Sequence, residues 1–507
     1  MPAPIRRALP PRANLAQQKT QARELLQDFT RGRSAAVTRV RAVLPDKPRI
    51  ALADAQFVLA REYGFDNWAA LRQHIDDRTA ALAAPHQRLH HALLRRDAQV
   101  VRELLAAHGQ FRPLINAPLF PYDSPALVAC AGDADMVQVL LEFGADPNQR
   151  SSWWAGGFHA LHSATALTAE RLLAAGATPD TCAAAHLDDI PLLAAMLAAD
   201  RTRAHERGGD GQTPLHFARS RAAIDLLLDA GADIDALDVD HRSTPAAWML
   251  DRARGAGRWA LAQSLAERGA RCDIFLAAAL GRTQDAVALL ERDATVLDLQ
   301  TGRGMYGEQP PSSHHIFFWT IGSHRSPLDV AAQFGNVETL AAMLPFATPM
   351  QRLRLACRTV DAAAARVLIG EHPSLIASLG REEHRALSDA AWNGEAASVA
   401  LMLDLGFDPA TPGHDSGSAL HCAAWQGSAA TVAALLHSTA ARALLAVPDA
   451  TYRTTPLGWC CHGSVNGPHD GEHAAVARLL LEAGARPELL EASDDVESIV
   501  LEFAGTT

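Results

Sequence analysis

The sequence lacks most of the marks of a membrane, secreted or catalytic protein. No run approaches the ~18 consecutive apolar residues that a membrane-spanning helix needs. Met1-Pro-Ala-Pro-Ile-Arg-Arg7 has no apolar stretch behind it, so a secretory leader is not expected. The seven cysteines are scattered over 507 residues, and an odd, unclustered set without a secretory context makes no disulfide framework. These absences fit a cytoplasmic chain that makes no membrane contact. An excess of basic charge is missing too: the formal net charge is −11, whereas a nucleic-acid binder normally shows a basic face. The one basic stretch, with Arg6, Arg7, Arg12, Lys19, Arg23, Arg31, Arg33, Arg39 and Arg41, reads as a solvated helix face rather than a nucleic-acid arm. No phosphate-cradling glycine loop follows a strand, and no Gly-x-Ser-x-Gly elbow occurs. No catalytic residue and no cofactor are therefore assigned.

What the chain does have is repetition. Asp210-Gly-Gln-Thr-Pro-Leu-His216 opens a unit that closes on Leu226-Leu-Leu-Asp-Ala-Gly-Ala-Asp233. The next opens at Ser243-Thr-Pro245 and closes at Glu267-Arg-Gly-Ala-Arg-Cys-Asp273. In each unit Thr is placed to cap a helix with its hydroxyl, and Pro follows at the first helical position, where its missing N–H costs nothing. Glycines 144, 176, 231, 269, 406 and 484 suit a left-handed residue after a second helix. Units ending at Asp200, Asp293 and His372 lack that glycine and need another exit. Thr213-Pro-Leu-His216, Gly231-Ala-Asp233, Leu140-Leu-Glu-Phe-Gly-Ala-Asp-Pro-Asn148 and Leu480-Leu-Glu-Ala-Gly-Ala485 together resemble the ankyrin-repeat family from about residue 85 to 490. The helical leader and irregular units look like large bacterial ankyrin proteins. The resemblance implies an all-α ankyrin-repeat solenoid of about twelve helix-turn-helix units. It also implies a role in binding protein partners, and it implies no reaction.

The expected organisation is a disordered leader at 1–14, a small helical N-terminal domain at 15–80 capping the first repeat, and repeats at 85–298. An inserted loop at 299–325, repeats at 326–490 and a capping segment at 491–507 follow. In the leader domain Ala22, Leu25, Leu26 and Phe29 share one helix face, and Asp66 or Asn67 caps a helix carrying Trp68, Leu71 and Ile75.

Four places stand out as sites. In the rows Ser326–Gly335, Arg385–Gly394, Ser418–Gly427 and Thr455–His462, paired small residues precede positions that face the concave groove in ankyrin-like proteins. Those positions hold Gln333, Phe334, Arg358, Trp392, Asn393, Trp425, Gln426 and His462. Tryptophan and arginine dominate interface energetics, so these are the candidate partner contacts; rings packed under the adjoining fingers are the structural alternative. Cys460, Cys461 and His462, with His469 and His473 downstream, suggest a metal, but both thiols occupy the alanine column of the preceding row, Ala423-Ala424. No metal site is assigned there. The insert at 299–325, with Phe317, Phe318, Trp319, His314, His315 and His324, is long for a loop and is read as a binding loop, a brace or a metal or catalytic site. Trp153 and Trp154 lie on a finger, as exposed contacts or folded back. Many of the 22 histidines, His216 and His421 clearly, sit in the scaffold column and are no sign of general-base chemistry. The expected function is non-catalytic binding of a protein partner by a monomer. The alternatives are an enzyme or small-molecule site under the inserts 299–325 and 462–470, and a secreted effector acting on a host protein.

Overall fold

The computed structural model describes Leu9, residues 15–68, 70–72, 74–75, 85–250, 256–468, 470–487, 490 and 492–504. The expected disordered leader lies outside these residues except for Leu9. Among the described residues the chain is an all-α repeat solenoid with two isolated β-bridges and no strand. It divides into two compact units, Met1–Leu82 with Thr348–Thr507, and Ala83–Ala347. The division falls at 347/348, inside the second expected repeat block, not at the insert.

In the unit Ala83–Ala347, helix pairs follow one another. They include Ala126–Ala129 with Ala134–Glu142, Thr181–Leu187 with Ile190–Ala199, Pro214–Phe217 with Arg221–Asp229, Ile274–Leu280 with Thr283–Arg292, and Pro327–Gln333 with Val337–Met343. The first helix of a pair carries small residues where its neighbours close in: Ala183, Ala184, Ala185 and Ala277, Ala278, Ala279 are fully buried. In the other unit the pairs run from Pro349–Arg358 with Ala362–Glu371 to Pro456–Asn466 with His473–Glu482. Their alanines and leucines merge into one continuous core from Leu353 to Val500.

Helix starts follow the sequence with one revealing exception. Thr244 and Thr455 accept from the backbone N–H three residues on, at 3.3 and 3.2 Å. At Thr213 the hydroxyl meets Nδ1 of His216 instead, at 3.0 Å, and the Thr213 N–H donates to the same nitrogen at 3.0 Å. Thr213 thus does not cap the backbone as expected, because the histidine ring three residues on takes the hydroxyl. Ser418 and His421 repeat the arrangement, at 2.8 and 3.2 Å. Each ring then donates from Nε2 to a carbonyl of the next unit, His216 to Ser243 at 3.1 Å and His421 to Thr454 at 3.0 Å.

The exits follow backbone chemistry. Gly231 sits at φ +99° with open space around it. Where glycine is missing, Asp200 and Asp293 turn into short 3-10 helices and accept the N–H of Thr202 and Thr295 at 2.9 Å.

The leader helices Leu15–Thr30, Ser34–Val43 and Leu52–Glu62 form their own core from Ala22, Leu25, Val40, Leu52 and Leu59. Asn67 caps the next turn through the Ala70 N–H at 2.8 Å, and Leu71 and Ile75 bury beside Trp68. Leu501 of the final helix Asp494–Ala504 joins the leader's core, and Arg23 pairs with Glu497. The final helix is apolar on one face, with Val496 and Val500 in the repeat core, so it joins the leader to the last repeats.

Two predictions follow from this scaffold. Gly231→Val should lower the melting temperature by a backbone cost of about 1–2 kcal/mol, since a side chain there has room but the left-handed backbone resists it. Gly231→Asn should cost less, and equal melting of both variants with wild type would refute the assignment. The second concerns pH. Burial, the largest cause, holds the His216 imidazole down to about 4. The unfolded chain therefore takes up the proton first as pH falls below about 6.5, and stability present above that pH is lost toward pH 4. Between pH 7 and pH 5, wild type should lose more melting temperature than His216→Asn.

Candidate functional site

The unit containing Thr348–Thr507 carries three of the four groove rows. Ala390-Ala391, Ala423-Ala424 and Cys460-Cys461 form one fully buried column. Burial holds the Cys460 thiol well above its usual range, and it donates to the His473 carbonyl at 3.2 Å. These thiols therefore pack as the alanines do.

The next positions hold Trp392, Asn393, Trp425, Gln426 and His462. Trp392 is half-buried and stacks on His414 of the adjoining finger, with ring centroids 4.1 Å apart. Trp425 is half-buried between the exposed His462 ring, at 5.3 Å, and the edge of Trp459, at 6.3 Å. Each tryptophan thus uses one side for the scaffold and keeps part of its surface open. Arg358 is placed differently. It pairs with Glu395 at 2.8 Å with its side chain 11% exposed, so its charge is spent inside the array.

The insert expected at 462–470 splits in two. Helix Pro456–Asn466 runs on through His462, and only the stretch from Gly467 to Glu472 is a loop; His469 is outside the described residues. The loop is fastened to the preceding row. Glu472 donates its N–H to the Gly427 carbonyl at 2.8 Å, and the His473 ring donates to the Trp425 carbonyl at 2.9 Å. A Cβ on Gly427 would lie 2.8 Å from the Gly471 Cα, so the two strands of chain meet only as glycines. The result is a cleft of about 510 Å³ that brings together Trp392, Asn393, Gln426, Pro468, Asp470 and Glu472. Asp470 and Glu472 are exposed at its rim. The sequence singled out the first three; Asp470 was legible only as the last residue of the insert 462–470, and Glu472 was not singled out.

In the other unit the candidates separate. The Gln333 amide donates to the Ile321 carbonyl at 2.9 Å, and Phe334 is buried rather than facing the groove. Trp153 packs edge-on against Tyr122 at 5.2 Å, while Trp154 is 45% exposed. The insert at 299–325 is ordered and closed at its base, where Thr301 and Arg325 exchange a backbone hydrogen bond at 3.1 Å. Tyr306 and Phe317 bury against Phe275, and the Tyr306 hydroxyl donates to Asp273 at 2.8 Å. The insert then lies down on the finger at 238–243. The Ser313 N–H and hydroxyl donate to Asp240 at 2.9 and 3.1 Å, Ile316 N–H donates to the Ser243 hydroxyl at 3.0 Å, and Arg242 reaches the carbonyls of Gly307 and Ser313. It is a brace that leaves Trp319 53% exposed and packed edge-on against His241 at 5.0 Å. His314 tilts onto Phe318 while His315 meets the edge of Tyr306, and burial lowers the His315 ring to about 3, so these two histidines face separate neighbours.

Sequence reasoning missed the buried acids under this brace. Asp210, Asp238 and Asp240 lie at 8%, 3% and 2% exposure beside His241. Burial is the main cause that pushes the carboxyls of Asp210 and Asp238 up to about 6. Their only signal in the sequence is an aspartate at each finger tip.

Comparison with known proteins bears on the scaffold alone. The ankyrin repeat family matches residues 123–152 and 210–239. No curated protein matches the chain.

Proposed function

We propose that this chain, an ankyrin-repeat protein, binds a protein partner without chemically changing it, and that the cleft over Trp392 receives a basic segment of that partner. The observation that carries the reading is the convergence of Trp392, Asn393 and Gln426 with the acidic loop on one cleft of about 510 Å³. A half-open indole beside Asp470 and Glu472 suits a lysine or arginine, by contact with the ring face and by charge. The net charge of −11 steers a basic partner the same way. Trp425 and His462 extend the contact along the groove. Trp154 and Trp319, exposed on the fingers of the other unit, are candidates for a second contact, whereas Trp153, Phe334 and Arg358 support the scaffold. The second reading, a small-molecule or catalytic site under the loop, draws on the cleft volume, which is that of ordinary ligand pockets.

A displayed random-peptide library selected on the full chain tests this directly. Selected peptides should be rich in lysine or arginine, and binding should weaken with added salt. Trp392→Ala should cost about 2 kcal/mol or more in binding, roughly thirtyfold, with little change in melting temperature. A Trp392→Ala chain that melts early yet binds the selected peptides normally would sink the proposal. Asp470→Asn with Glu472→Gln should remove the basic preference without affecting the fold.

A further inference from the structure

His241 differs from the scaffold histidines in which nitrogen carries its hydrogen. His216 and His421 accept on Nδ1 and donate from Nε2. In His241 it is Nδ1 that meets the His314 carbonyl, at 2.9 Å. A carbonyl only accepts, so Nδ1 holds the hydrogen and Nε2 presents a lone pair. That lone pair faces carboxylate oxygens of Asp240 at 3.7 Å and Asp210 at 3.9 Å. The three groups offer ligand atoms all within 4.8 Å of one another. Asp210 is 8% exposed, with the neighbouring Trp153 indole as a side-chain hydrogen-bond partner of its carboxylate.

Three electron-rich groups turned toward one buried point need a positive charge between them. A second proton on the ring would be a poor one, because 3.7 and 3.9 Å are beyond the reach of an N–H···O bond, which closes at about 3.2 Å. A metal ion suits the spacing better. Nitrogen and oxygen ligands at about 2.0–2.1 Å from zinc stand about 3.3 Å apart in a tetrahedron, so the two edges that meet at His241, 3.7 and 3.9 Å, need contract by only about half an ångström. The surroundings are also those of a metal histidine: its other nitrogen is held by a backbone carbonyl, and Asp240 is held by the Ser313 N–H and hydroxyl at 2.9 and 3.1 Å.

We propose that Asp210, Asp240 and His241 bind one divalent cation of the zinc class, with water completing the coordination, and that this ion fastens the insert to two successive fingers. The site departs from the sequence expectation that the chain holds no metal. It is distinct from Cys460 and Cys461, whose thiols are packed in the alanine column. Asp210 stands on one finger and Asp240 and His241 on the next, while Ser313 and His314 of the insert orient the ligands.

Calorimetric titration of zinc chloride into the full chain, stripped with EDTA, tests the proposal. Wild type should bind one equivalent that raises the melting temperature. Asp240→Asn and His241→Ala should each weaken that equivalent at least about tenfold, and Cys460→Ala with Cys461→Ala should leave it intact. If His241→Ala fails to fold, the near-isosteric Asp210→Asn carries the comparison. Wild type that binds no zinc, or variants that bind it as tightly as wild type, would overturn the site. So would melting that shifts with pH but is indifferent to both zinc and EDTA, which would put a proton where we place the metal.

Discussion

Among the described repeat units, small residues are buried only where neighbouring pairs meet: Ala183–Ala185 and Ala277–Ala279 are fully buried because the next pair lies against them. Close approach at small residues is therefore the constraint behind the rest of the architecture. It demands a sharp exit after each second helix, a helix start that uses no side-chain bulk, and a polar tie between neighbours. The histidine column supplies that tie. A ring that accepts from its own unit and donates to a carbonyl of the next links successive pairs without adding volume, and it holds only while the ring is neutral.

The same constraint explains what was legible in the sequence. Threonine-proline starts, left-handed glycines and the alanine column are local signals, and the helices stand where those signals place them. The columns also identified Trp392, Asn393 and Gln426, because a position two residues past paired alanines faces the same side in every row. What escaped was contact at long sequence separation. Leu501 in the leader's core, Ser313 on Asp240 and Arg358 on Glu395 are set by packing, and no spacing in the sequence announces them. Thr213 differs in another way: its hydroxyl has two acceptable partners, and the ring of His216 engages it at 3.0 Å.

The candidate cleft shows how a scaffold of this kind acquires a surface with chemistry of its own. The groove rows alone give two half-buried tryptophans. A helix that runs on to Asn466 and a short loop pinned through Gly427 and Gly471 turn the open row into a walled site with acids at its edge. Trp392 is stacked on one face against His414, and an aromatic ring already held in place loses little entropy in any further contact.

The brace from 299–325 has a consequence for how the array comes apart. A stack in which each unit touches only its neighbours frays one pair at a time from its ends. Here Ser313 and Ile316 hold a finger 73 residues upstream, across two intervening helix pairs. The fingers at 208–212 and 238–243, the pair Ile274–Leu280 and Thr283–Arg292, and the insert itself are thereby closed into a loop of mutual contacts. Contacts of that span favour the opening of this stretch as one cooperative block rather than pair by pair.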